Sequence, residues 1–256
     1  MSSTDWERRL LHNVARVRAE LSDACRRAGR DPGEVRLVAV TKYVAQPVLE
    51  ALLAAGITDL GENRVQQLAA RAQHCGPPRF DWPEEPAPEG RGPRWHMIGH
   101  LQRNKIKALL PHCHIIHSLD SPRLAEALQQ HATAAGVSLD VFIEINLAGE
   151  ASKTGLPPQD VHRLVDTVRH CDRLRLRGLM TMAPYNPDPQ AARPYFRQLH
   201  DLLARLRASG EVGPACRHLS MGMSQDYVVA VEEGATFVRI GSALFEGLPN
   251  ADPRSV

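Results

Sequence analysis

Leu37-Val38-Ala39-Val40-Thr41-Lys42 sets a short apolar run directly before a lysine. A continuous run of this length, bounded by Arg36 and by Gln46-Pro47, reads as a strand buried on both faces, the kind found in parallel sheets. Lys42 has the parity of Val38 and Val40, so its side chain is expected to point inward with theirs.

Moving outward from this run, strands are predicted near residues 36–41, 57–61, 94–98, 114–118, 139–146, 175–180, 217–220 and 236–240. Amphipathic stretches between them predict helices near 46–55, 63–74, 101–109, 122–136, 158–170, 190–209 and 224–233, with a short one after Gly241. Before the first strand, Leu10, Val14, Val17, Leu21 and Cys25 recur at helical spacing until Gly29 and Pro32. The expectation is an α/β fold: one (β/α)8 TIM barrel with an extra N-terminal helix, spanning residues 1–256 as a single domain. The proline-rich stretch at about 76–94 interrupts the rhythm as a loop insertion. It joins a helix to the next strand, which places it at the face opposite the strand C-termini, with Phe80 and Trp82 as packing anchors.

Lys+Arg 31 against Asp+Glu 29 gives a formal net charge of +2, so no one-signed field is available for nucleic acid or an anionic membrane. No window has the apolar length of a membrane span, and residues 1–9 are polar, so a cytoplasmic protein is expected. Cys25, Cys75, Cys113, Cys171 and Cys216 are scattered and odd in number, which predicts reduced thiols. His112, Cys113, His114 and His117 crowd together, but strand alternation sends His112 and His114 to the opposite face from Cys113 and His117, so no metal site is expected.

In a parallel barrel the chemistry comes from the residues that follow each strand. Here those are Lys42; Gly61-Glu62-Asn63; His96, Gly99 and Gln102; Ser118 and Asp120; Asn146 with 150–155; Met180 and Met182; Ser220 to Ser224; and Arg239, Gly241 and Ser242. Ser220-Met221-Gly222-Met223-Ser224 and Gly241-Ser242 combine hydroxyls, glycines and following helix N-termini, the features of a phosphate cradle after strands seven and eight. An inward lysine facing such a cradle predicts pyridoxal 5'-phosphate held as a Schiff base. Arg239, also inward, would donate to an unprotonated ring nitrogen and so weaken the electron sink. Two plainer readings stay open at this point: a lysine that snorkels to solvent, and an Arg239 paired with Glu144 or Glu62.

Eight ordered segments carry a resemblance: 38–42 (VAVTK), 61–66 (GENRVQ), 95–105 (WHMIGHLQRNK), 117–121 (HSLDS), Asn146 with 150–155, 178–180 (GLM), 219–224 (LSMGMS) and 239–241 (RIG). Together they resemble the pyridoxal phosphate homeostasis protein family, YggS-like or PROSC-like. The resemblance implies a barrel of the alanine racemase N-terminal domain type that binds pyridoxal 5'-phosphate and serves vitamin B6 homeostasis without established turnover. It makes Lys42 the Schiff-base lysine, Asn63 the asparagine near the ring, and Arg239 the ring-nitrogen partner. Ser220, Gly222, Ser224, Gly241 and Ser242, with Met221 in the same loop, form the phosphate side. The proline-rich insertion departs from the family, as does Ser242, where threonine is also frequent.

After Gly247 only residues 248–256 remain, so the second domain that supplies a racemase with its tyrosine base is expected to be absent, and a monomer is expected. Of the four tyrosines, Tyr185 is the one candidate for a second base. Three functions follow: a carrier whose Lys42 is displaced by amino acids or by acceptor enzymes that use the cofactor, a low-activity racemase, and a cofactor-free Schiff-base aldolase.

Overall fold

The computed structural model describes residues 3–82, 92–149 and 154–248. Most of the proline-rich stretch, residues 150–153 and the C-terminal eight residues lie outside the described residues. Strands β1 (Arg36–Val40), β2 (Asp59–Glu62), β3 (Arg94–Met97), β4 (Ile115–Leu119), β5 (Leu139–Glu144), β6 (Leu174–Met180), β7 (His218–Ser220) and β8 (Phe237–Ile240) form a closed parallel barrel in chain order. β8 returns onto β1, pairing Val38 with Arg239 and Ala39 with Ile240.

Helices α1 (Ser3–Arg27), α2 (Gln46–Ala54), α3 (Val65–Ala72), α4 (Ile106–Leu109), α5 (Pro122–Ala135), α6 (Val161–Arg169), α7 (Arg193–Ala208), α8 (Tyr227–Glu232) and α9 (Ser242–Phe245) surround it. α5 shows how local sequence sets such an element. The Ser121 hydroxyl accepts from the Leu124 N–H, Pro122 opens the first turn, and Gly136 ends the helix at φ +67°. Its buried residues Leu124, Ala125, Leu128 and Ala132 fall on one stripe, and burying each leucine contributes about 1.5–3 kcal/mol. The predicted leading helix is α1, and Asn13 on its buried face donates to the Leu244 and Glu246 carbonyls at 3.0 Å, tying it to α9.

Two helices are shorter than the sequence pattern predicts. The stretch expected as helix over 101–109 is helical only as a 3-10 turn and α4, because Gly99 is pressed against Asn63 and Gln102 is extended. A Cβ on Gly99 would stand 2.5 Å from the Asn63 carbonyl oxygen. The helix expected from 224 begins at Tyr227, since the Asp226 carboxylate accepts from the Met223 N–H at 2.6 Å and shapes a turn first.

The barrel floor, at the strand N-termini, is closed from the proline-rich segment. Trp82 is buried with Val38, Ile115, Phe142, Met180 and Phe237, and its ring lies 5.7 Å from that of Phe237 and 4.4 Å from the Arg177 guanidinium. Phe80 stacks on His114 at 4.0 Å. Both aromatics pack as expected, on the expected face. Among the described residues no helix is long and apolar enough to cross a membrane, and no three potential metal ligands gather.

Candidate functional site

A cavity of about 440 Å³ opens at the strand C-termini. Lys42, Asn63, Ser224, Arg239, Gly241 and Ser242 line it. It falls in the size range of small-molecule sites. Six of the nine residues expected at the site are therefore together.

Lys42 follows β1 in a turn closed by the Val44 N–H donating to the Thr41 carbonyl at 3.1 Å. The side chain is half-buried, and Nζ lies 5.0 Å from the centre of the Tyr43 ring. Asn63, just after β2, has its Oδ1 buried without a partner on the cavity wall. On the opposite wall the Ser224 hydroxyl accepts from the Gly241 N–H (3.1 Å) and the Ala243 N–H (3.2 Å), so a hydroxyl and two amides converge. Ser242 is exposed beside them.

The remaining three expected residues are placed elsewhere. Ser220 is fully buried and its Oγ lies inside the barrel, 2.7 Å from His117 Nδ1 and 2.6 Å from Arg239 Nη1. As the last residue of β7 it still obeys strand alternation, which turns it inward below the cavity rather than out toward a phosphate. Met221, the next residue, points into the apolar layer under the helices. Gly222, at φ +94°, packs against Ala230 and Tyr227 of α8 and not on the cavity wall. The amides expected from a helix starting at Ser224 are also shifted, because the Asp226 carboxylate accepts from the Met223 N–H and α8 begins only at Tyr227.

Arg239 reaches the cavity from below. Besides Ser220 it donates to the Thr181 carbonyl at 3.0 Å, and it makes no ion pair with Glu144 or Glu62, which removes the plainer reading of that residue. Burial pushes its pKa down to about 10, against the pull of Glu144 and Asp226, so the guanidinium is charged at neutral pH. Behind it runs a buried polar chain that the sequence reading did not assemble. His117 Nε2 lies 3.0 Å from His96 Nδ1, and His96 Nε2 lies 3.0 Å from Asp59 Oδ1. Arg94 then grips Asp59 through both carboxylate oxygens at 2.7 and 3.0 Å. A guanidinium only donates and an ionised carboxylate only accepts, so the chain runs donor to acceptor from Arg239 to Asp59. Burial drives the His117 pKa well below its ordinary value, and the inward parity of His96, His117, Ser220 and Arg239 is the one signal that could have found the set.

Glu144 closes the far wall, accepting from Thr154 at 2.8 Å; burial raises its pKa, and the nearby Asp120 adds to the rise. Tyr185, the one candidate for a second base, is 79% exposed and does not line the cavity.

The alanine racemase N-terminal domain model matches residues 9–249. A pyridoxal phosphate homeostasis protein of Aquifex aeolicus is 38% identical over 91% of this chain and 95% of its own length. The chain belongs to the pyridoxal phosphate homeostasis protein family. Solved structures agree with this membership. The crystal structure of an unknown protein from Bifidobacterium adolescentis superposes with a TM-score of 0.84 at 34% identity, over 96% of this chain and 97% of that one. PipY of Synechococcus elongatus PCC7942, solved with pyridoxal phosphate bound, gives a TM-score of 0.76 at 29% identity, over 92% and 99%. The family fold is the expected alanine racemase-type barrel.

Proposed function

We propose that this chain holds pyridoxal 5'-phosphate in the cavity, with Lys42 as Schiff-base partner, and serves to store the cofactor and pass it on. The observation that carries the reading is that one cavity is lined by Lys42 after β1, Gly241 after the adjacent β8, and Ser224 after β7. The residues fit the group: an unsatisfied Asn63 oxygen, a hydroxyl with two amides, and a charged guanidinium surround the space. Family membership and the cofactor bound by PipY support the same reading.

Pyridoxal 5'-phosphate supplies an aldehyde that condenses with amines and a pyridine ring that can withdraw electrons. In this reading Lys42 provides the amine, Ser224 with the Gly241 and Ala243 amides holds the phosphate, Ser242 screens it, and Asn63 orients the ring. Arg239 donates to the ring nitrogen and keeps it unprotonated, which limits carbanion chemistry. Ser220, Met221 and Gly222 shape the wall behind these groups rather than touch the phosphate. With Tyr185 turned to solvent, a two-base racemase has no second base among the described tyrosines near Lys42 other than Tyr43, which lies under the lysine itself. An incoming amine, from an amino acid or an acceptor enzyme's lysine, would replace Lys42 as the aldehyde's partner and release the Lys42 amine free. The proposal extends to a monomer of one domain in the cytoplasm, where five free buried cysteines are suited to a reducing compartment.

The test is an absorbance spectrum and intact mass after borohydride reduction. A pyridoxyl adduct on Lys42, lost in Lys42→Ala, is expected. A protein that takes up no added pyridoxal 5'-phosphate would overturn the reading, and alanine racemization on the order of 10 per second would overturn the carrier role.

A further inference from the structure

Lys42 has no secondary structure of its own; it sits at the second position of the Thr41–Val44 turn. A flexible four-carbon side chain on a loose turn would sample many directions, and each lost direction costs entropy when the amine must meet one fixed carbon. The turn is not loose. Arg71, on α3 and 30 residues further along the chain, donates one Nη to the Thr41 carbonyl and the other to the Val44 carbonyl, the latter at 2.9 Å. One guanidinium therefore spans both ends of the turn, a task for its fixed fork of donors that a lysine ammonium cannot perform.

Arg71 is held in its turn by Glu62 at the end of β2. The Glu62 Oε1 stands 3.2 Å from Arg71 Nη1 and accepts from the Thr41 hydroxyl at 2.6 Å, so carboxylate, guanidinium and turn close into one ring of contacts. Glu62 is fully buried and Arg71 only 17% exposed, which shields the arrangement from solvent. Burial raises the Glu62 pKa, while Arg71, the Thr41 hydroxyl and Lys42 oppose the rise; the charged groups facing this carboxylate are thus the clamp itself and the lysine it serves.

We propose that Arg71, anchored by Glu62, is a positioning residue for Lys42: it fixes the turn from which the amine reaches the bound aldehyde and so sets how fast and how tightly the Schiff base forms. The inference rests on the Schiff-base reading of Lys42 given above. Arg71 does not line the cavity, so it acts through the turn and not on the ligand.

Two probes separate positioning from general support of the fold. Pyridoxal 5'-phosphate can bond to Lys42, whereas pyridoxine 5'-phosphate has the same ring and phosphate without an aldehyde. In Arg71→Met the aldehyde should bind on the order of tenfold to a hundredfold more weakly and its visible absorbance should grow correspondingly slowly, as expected for a misplaced reacting group. Pyridoxine 5'-phosphate should bind within about twofold of the parent. Equal weakening of both probes would assign Arg71 a merely structural role and overturn the inference, as would no change in either. Should Arg71→Met fail to fold, Arg71→Lys carries the same comparison: it keeps the charge beside Glu62 but reaches one carbonyl, so a smaller, still aldehyde-specific loss is expected. If the parent protein shows no preference for the aldehyde over pyridoxine 5'-phosphate, the Schiff-base reading itself falls and the inference with it.

Discussion

The two ends of the barrel are built on opposite principles. At the floor four arginines are matched by carboxylates: Arg79 with Asp81, Arg94 with Asp59 and Asp81, and Arg175 and Arg177 with Asp140, although Arg173 Nε is buried without a partner. Trp82 fills the space between them. At the mouth, polar atoms are left wanting. Asn63 Oδ1 and Glu62 Oε2 are buried without partners, and Glu62, Glu144 and Asp226 all have pKa values raised by burial. Satisfied groups hold a fold together; unsatisfied ones, in a cavity, mark where a ligand completes it.

Trp82→Ala would test the floor hardest. Truncating this plug should cost about 3–5 kcal/mol in denaturant unfolding. Cofactor affinity, measured where the variant is folded, should stay within about twofold; a large loss would mean that the two ends are not separate. Asp59→Asn should cost a similar or smaller amount, because it leaves Arg94 buried with half its partner. The Asp59 pKa is held far below the carboxylate range against burial, by hydrogen bonds from His96 and Arg94. A depressed carboxylate contributes stability above its unfolded pKa, about 3.9, and loses it as pH falls through the folded value. The parent should therefore lose stability relative to Asp59→Asn below about pH 4.

The mouth gives the opposite sign. A carboxyl with a raised folded pKa destabilises the native state as pH rises through it. Glu144→Gln should accordingly gain on the parent in thermal unfolding as pH rises above the ordinary glutamate value of about 4.3. A flat difference would remove Glu144 from the set of strained groups.

Ser224→Ala and Ser220→Ala sharpen the division inside the mouth itself. The first should weaken pyridoxal 5'-phosphate by roughly tenfold with little effect on unphosphorylated pyridoxal, the loss of a hydrogen bond to a charged group. The second should weaken both alike, through Arg239. Reversed patterns would return Ser220 to the phosphate. Smallest of all, Tyr43→Leu removes the ring under the Lys42 ammonium, and a change of about two- to fivefold in cofactor binding is expected.

The barrel was readable because most of its strands are buried on both faces, so Leu37–Val40, with Val38 and Ala39 fully buried, and Val141–Ile143 stand out as apolar runs without needing alternation. Lys42 and Arg239 were readable from parity on those runs. Ser220 drew attention because a serine beside a glycine loop suggests an anion site, whereas its place on the strand turns it inward onto His117 and Arg239. His96 and His117 shared the inward parity, but their contact with each other and with Ser220 depends on register between strands, which no single run carries. Nothing local shows that Arg71 would reach back 30 residues to the turn, or that Trp82 rather than another aromatic would enter the floor. Long-range hydrogen bonds leave no periodic trace.

The seam where β8 meets β1 has a consequence for how the protein is made. The ribosome releases Lys42 early, yet the arginine beside it and the wall across from it belong to the last strand to emerge. If Lys42 is the Schiff-base lysine proposed above, a nascent chain exposes that amine while no pocket exists to choose an aldehyde for it. Selectivity arrives only with ring closure, the step of greatest sequence separation in the molecule.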